Sequence, residues 1–163
     1  MPDQLTISNT SPLLYLHLVK QLDLLAQLYG KVLVPPAVEA ELQVGAEQGI
    51  NVPQIAALSW LKVTPLASDT SIPLVTDLGR GEAEVIALGL ENPDSRLILD
   101  DTLARRIARL NKLQFTGTVG IIVRAKQVGL LTAVSPVLSA LQKAGLWLSD
   151  ALVTQVLHQA GER

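Results

Sequence analysis

Apolar residues follow two alternating rhythms along this chain. Short runs rich in Val, Ile and Leu (LTIS at 5–8, KVLV at 31–34, RLIL at 96–99) end in polar residues or prolines and read as strands. Between them, apolar positions recur at helical spacing. LTIS passes through Asn9, Thr10, Ser11 and Pro12 into a helical pattern that continues to Leu28, where Gly30 stops it. KVLV is closed by Pro35 and Pro36, with a helix opening at about 37–44. The stretch 45–73 holds Gly49, Pro53, Pro65 and Pro73 around IAAL and WLKV, which predicts an insertion with a short helix and an edge strand.

The alternation then resumes. GEAEVIALGL predicts a helix from Glu82 to about Leu90, RLIL a strand ending at Asp100 and Asp101, and the next segment a helix over 102–110. A short strand at 113–115, a glycine-containing loop entering a helix (TGTVGIIVRAKQVGL, 116–130), and two amphipathic helices over 134–159 separated by Gly145 complete the pattern. Strands alternating with helices predict an α/β fold, a parallel sheet covered by helices on both faces.

Composition narrows the picture. The 163 residues suit one domain over 1–163. With 48% hydrophobic but only 3% aromatic residues, the core must be built from aliphatic side chains. A net charge of -2 argues against holding nucleic acid by bulk charge alone and leaves room for local basic patches. No cysteine is present, so any metal site must use oxygen or His, and a reducing cytoplasm is compatible. Met1 to Leu5 carries Asp3 and no basic segment, and no apolar run has the roughly 18 residues needed to cross a bilayer, so a soluble, untargeted protein is expected.

In open α/β sheets, ligands bind beyond the carboxyl ends of the strands. In this chain those places are acidic. Asn9 follows the first strand, Glu39 and Glu41 lie in the helix after the second, Glu82 and Glu84 open another helix, and Asp100 and Asp101 end RLIL. Carboxylates gathered at one sheet edge repel one another unless a hard divalent cation joins them, the usual arrangement for metal-assisted phosphodiester hydrolysis. Taken one at a time, the same acids suit helix dipoles and caps: Asp101 stands where a cap for the helix at Thr102 belongs. His17 and His158 are isolated, so neither a His-based metal site nor a Ser-His-Asp triad is expected. Gly79/Gly81 and Gly117/Gly120 match no dinucleotide fingerprint or P-loop.

Five segments, ISNTSPL at 7–13, VPPAVEAEL at 34–42, GRGEAEVIALGL at 79–90, LILDDTLARRIA at 97–108 and TGTVGIIVRAK at 116–126, together resemble the PIN-domain family, in the right order and spacing over about 5–148. More narrowly, they resemble a bacterial, VapC-like subfamily with SDTSPL, GEAEAIALA and DD motifs. That resemblance implies a three-layer αβα fold and an acidic pocket for Mg²⁺ or Mn²⁺. It also implies a toxin-like endoribonuclease acting on RNA, with an antitoxin partner, a homodimer and no membrane. Residue by residue, Glu41, Glu82 and Asp101 take the places of the family's acids, with Asp100 and Glu84 as auxiliaries.

The departure is Asn9, where the family pattern has its first Asp. It keeps a coordinating carbonyl oxygen without the charge, which lowers cation affinity and opens a second reading: a catalytically weakened RNA-binding or protein-interaction module. Ser11, with Thr10 beside it, resembles the family's hydroxyl that supports the site or touches phosphate, and equally suits a helix cap. Arg105, followed by Arg106, Arg109, Lys112, Arg124 and Lys126, offers phosphate contacts, set against the commoner solvated helix face.

Overall fold

The computed structural model describes residues 4–69, 72, 73, 75 and 77–163. Met1, Pro2 and Asp3, on which the expectation for the start of the chain rests, lie outside the described residues, as do Thr70 and Ser71 of the 45–73 stretch.

Among the described residues, five three-residue strands, β1 (Thr6–Ser8), β2 (Val32–Val34), β3 (Leu61–Val63), β4 (Arg96–Ile98) and β5 (Gln114–Thr116), pair in parallel in the order β3-β2-β1-β4-β5. Ile7 stands opposite Leu33 on one side and Leu97 on the other, and Leu97 stands opposite Phe115. β1 and β2 are buried at every position, as strands covered on both faces must be; this explains why they read as continuous apolar runs rather than as alternation.

Eight helices among the described residues cover the sheet: α1 (Thr10–Leu18), α2 (Asp23–Tyr29), α3 (Pro36–Glu47), α4 (Arg80–Glu91), α5 (Thr102–Leu110), α6 (Thr118–Gln127), α7 (Ser135–Lys143) and α8 (Asp150–Gln159). α1 packs on α3, α6 and α7, and α2 on α6; α4 packs on α5, β1 and β4, and also meets α3 where the two layers come together past the sheet. Right-handed crossovers account for this division. The chain moves one way from β1 to β3 and the opposite way from β3 through β4 to β5, so the two sets of connections cover opposite faces. The result is a three-layer α/β fold with an aliphatic core of residues such as Ile7, Leu16, Leu25, Ile86, Leu97, Leu99 and Ile122.

One expectation is corrected. The helical pattern after β1 is two helices, not one, broken at Val19–Leu22. Lys20 adopts a left-handed φ of 61°, its N–H donating to the His17 carbonyl (3.1 Å) and the Gln21 N–H to the Leu16 carbonyl (2.8 Å). That paired reversal is the usual helix-ending turn, made here by lysine where glycine is the common choice, so nothing in the sequence announces it. In the 45–73 stretch, IAAL forms a 3₁₀ turn at Ile55–Ala57, and WLKV supplies β3, which is indeed an edge strand.

Candidate metal-binding nuclease site

The chain leaves β1 toward one face and β4 toward the other, so a crevice opens beyond the carboxyl ends of these adjacent strands. Asn9 and Asp100–Asp101 flank it. The Asn9 N–H donates to the Ile98 carbonyl (3.1 Å), which fixes Asn9 level with the end of β4. The side chain is 4% exposed, and its Oδ1 is buried without a hydrogen-bond partner. A buried amide oxygen left unpaired is uncommon and costs about 1–3 kcal/mol, a position that suits an acceptor awaiting a ligand.

Glu41 reaches the same rim from α3. The Thr10 hydroxyl donates to Glu41 Oε1 at 2.5 Å, and the Gly81 N–H at the start of α4 donates to Oε2 at 3.1 Å. Three elements, α1, α3 and α4, therefore meet on one carboxylate. Gly81 leaves room for that arrangement, since a Cβ there would push the Glu41 carboxylate out of its present place. Ser11, one residue beyond Thr10, makes no side-chain hydrogen bond among the described residues, and the cap position of α1 is Asn9 rather than Ser11.

Glu82 lies in the first turn of α4 and accepts from the Gly79 N–H through Oε2 (3.3 Å). Burial pushes its carboxyl above the ordinary glutamate range, the negative charges of Asp101 and Glu41 push it further, and the Gly79 N–H opposes them. Glu82 thus lies within electrostatic reach of both Asp101 and Glu41. Asp101 caps α5, its Oδ2 accepting from the Ala104 N–H (2.9 Å), a bond worth about 1 kcal/mol by itself. Glu82 Oε1 and Asp101 Oδ1 have no partner among the described residues, so with Asn9 Oδ1 three oxygens stand free.

The remaining acids are engaged elsewhere. Asp100 gives both oxygens to Thr118, accepting from its N–H (2.8 Å) and its hydroxyl (2.6 Å), and so ties β4 to the start of α6. Glu84 accepts from the Ala37 N–H (3.1 Å) and pairs with Arg80 (2.7 Å), bracing α4 against α3. Glu39 is exposed in the first turn of α3. Arg105 lies with its guanidinium 5.0 Å from the centre of the Phe115 ring, and Arg109 lies 5.3 Å from the same ring, so part of this basic run stacks rather than standing free in solvent. His17 contacts Asn51 (3.1 Å), and His158 is exposed, both remote from the acids in role.

The donors are all hard oxygens, the chemistry a divalent cation requires. Their arrangement is looser than their chemistry: among the described residues, no group of three or more acids or histidines is gathered closely enough to hold a metal ion. The residues match such an ion in donor type and in their unpaired oxygens but not in closeness, with Asn9 supplying a neutral corner.

A parallel sheet in the order 3-2-1-4-5 with acids at its switch point defines the class: an α/β protein built to act at the carboxyl rim of its sheet. A family model described as a PIN domain matches residues 5–162, and the chain belongs to that family. PIN domains generally bind nucleic acid and are nucleases that use divalent metal ions. Among curated proteins, none matches the chain as a relative. No helix among the described residues is long and apolar enough to cross a membrane.

Proposed function

We propose that the chain is a divalent-metal-dependent endoribonuclease of the toxin-like, VapC-like kind, hydrolysing RNA phosphodiester bonds at the carboxyl rim of its sheet. Asn9, Glu41, Glu82 and Asp101 form its working group. The observation that carries this reading is the convergence of α1, α3 and α4 on the Glu41 carboxylate, through Thr10 and Gly81, next to the buried unpaired oxygen of Asn9. An all-oxygen set of this kind suits Mg²⁺ or Mn²⁺. When bound, such an ion supplies charge compensation for the phosphate and Lewis acidity toward the attacking water.

The chain's own residues do the rest. Thr10 and Gly81 fix the Glu41 carboxylate from two sides, so its orientation is set before anything binds. Glu82, between two anions, keeps a proton to higher pH than an ordinary glutamate and gives it up when positive charge arrives. Asn9 contributes a neutral acceptor where the family pattern has a carboxylate. The support for a single PIN unit over 1–163, a cytoplasmic setting, an antitoxin protein and a homodimer is the resemblance in sequence, together with the exposed apolar side chains of Val44 and Ile50 at the end of α3.

Asn9 also favours a second reading, a weakened PIN module that binds RNA or protein without cutting. Titrating Mn²⁺ against the natural chain and Asn9→Asp, with metal binding followed by calorimetry and cleavage of a generic RNA by electrophoresis, separates the two. The Asp variant is expected to bind Mn²⁺ at least about tenfold more tightly, the effect of one added charge at close range. Cleavage by the natural chain supports the nuclease reading, and cleavage by the variant alone supports the weakened module. If neither cuts nor binds metal, the nuclease proposal is sunk.

A further inference from the structure

A groove of about 680 Å³ runs along α6 between that helix and α8. It begins at the functional rim with Asp100, Thr102 and Gly117 and continues past Val123 and Arg124 to Gln127. α6 is ten residues long, so the groove extends roughly 15 Å at the helical rise of 1.5 Å per residue, enough for a few nucleotides. Its outer wall is the segment Leu146–Leu148 with Leu152 and Val156 of α8. On that wall sits Trp147, 82% exposed, beside the partly exposed Leu152. Single exposed apolar residues are ordinary, but an indole standing free on the wall of a groove that leads to a cluster of acids is not explained by packing.

The charge of the lining decides which occupant fits. Its charged residues are Asp100, Arg105 and Arg124. Asp100 has both oxygens bonded to Thr118, whereas neither arginine has a carboxylate partner among the described residues. Arg105 also keeps a buried Nε without a partner. In a chain of net charge -2, this groove is locally cationic. Arg124 also borders a second groove, of about 390 Å³, lined by Gln4, Gln27, Tyr29 and Arg96. There Arg96 lies 4.6 Å from the centre of the Tyr29 ring, again without an acidic partner. Arg124 is exposed and Arg105, though stacked on Phe115, has no acidic partner among the described residues, so both keep charge for an anion. Arginines of this kind beside a flat aromatic side chain are what sequence-tolerant binding of single strands requires, guanidinium groups for phosphate and a ring face for any base.

We propose that the α6–α8 groove is a track for single-stranded RNA, in which a base stacks on Trp147 while Arg124 and Arg105 hold the backbone phosphates that lead to the acidic rim. The proposal rests on the nuclease reading for what happens at the upper end of the track, but binding along it does not depend on cleavage. The test is therefore made in EDTA, by fluorescence anisotropy of a short fluorescein-labelled oligouridylate added to the full chain. Trp147→Ala and Arg124→Ala should each weaken binding about tenfold, Trp147→Phe should restore most of it, and Lys143→Ala, on α7 outside the groove, should change little. These side chains are exposed, so folding is not at stake.

The proposal is overturned if Trp147→Ala binds as the natural chain does, if the Phe variant is as weak as the Ala variant, or if Lys143→Ala costs as much as Arg124→Ala. It is likewise overturned if a polyglutamate peptide, but not the RNA, binds in a Trp147-dependent way, which would make the groove a protein-docking site. Adding Mn²⁺ to the same mixtures keeps the two readings apart. Trp147-dependent binding without cleavage sinks the nuclease reading and leaves the track, whereas cleavage with Trp147-independent KM sinks the track and leaves the nuclease.

Discussion

Glu82 and Glu162 are the same side chain placed in opposite circumstances. Glu82, at the carboxyl rim, is half-buried between two other acids and has one backbone N–H in its favour, so its carboxyl is pushed up. Glu162 stands beyond α8, where the left-handed turn at Gly161 (φ 74°) delivers it to the start of α7. It accepts from Lys126 (2.6 Å) and from the Val134 and Ser135 N–H groups (2.8 and 3.2 Å), and these partners hold its carboxyl below the ordinary range. One glutamate is satisfied by the fold; the other faces two acids with a single backbone donor. The difference teaches how surroundings divide one residue type: a carboxylate fully supplied with donors fastens two helices together, and one facing its own kind is the candidate for chemistry.

Three substitutions test that contrast. The largest effect is expected from Asp101→Asn. Asn retains the cap on α5, so the helix survives, but the charge beside Glu82 is removed. Mn²⁺-dependent RNA cleavage should fall about 100-fold or more with little change in melting temperature. Cleavage within a few-fold of the natural chain would mean that Asp101 is only a cap.

Next is Glu162→Gln. Because its folded pKa is depressed, the ionised carboxylate adds stability that is present above the ordinary glutamate value and is lost as pH falls through the lower folded value. The variant should melt a few degrees lower at pH 7, and the gap should narrow progressively as pH falls below the ordinary glutamate range. A gap that persists unchanged in acid would remove the charge from the explanation and leave packing alone.

The smallest effect is expected from Glu82→Gln in metal-free buffer. Here the folded pKa is raised, so below the unfolded value both states are protonated and nothing is at stake; as pH rises through that value toward the folded one, the folded state is penalised. The amide should therefore melt about a degree higher at pH 7 and identically near pH 3. Added Mn²⁺ should stabilise the natural chain more than the variant. Equal responses to Mn²⁺ would disconnect Glu82 from the cation.

Much of this was legible in the sequence where local chemistry and global placement agreed. The α5 range is the one its pattern predicts, and β1, β2 and β4 follow their apolar runs within a residue or so. The rim was legible because residues directly after parallel strands must gather at one edge, which singled out Asn9 and Asp101, while α3 and α4 bring Glu41 and Glu82. Two kinds of feature escaped. The α1–α2 break turns on Lys20, a residue with no preference for a left-handed backbone, so only tertiary packing specifies it. Long-range pairings escaped as well: the Thr10–Glu41 bond spans 31 positions and the Lys126–Glu162 pair 36, separations at which no local pattern speaks. The Gly161–Glu162 step carried one faint signal, a glycine just past a helix followed by an acid, yet nothing local indicates which helix start that acid caps. Trp147 stood in a tail read only for amphipathicity, and its exposure appears only once α6 and α8 are side by side.

The strands are three residues long, and that brevity has an electrical consequence. From Arg96 at the foot of β4 to Asp100 at its head, the rise is only about 13 Å at roughly 3.3 Å per residue. The Debye length is about 30 Å in 10 mM salt and about 8 Å at physiological ionic strength. In dilute buffer, Arg96 below the sheet and the carboxylates above it belong to one field; in physiological salt the part of that coupling that runs through solvent is screened, and the part that runs through the buried strand between them persists.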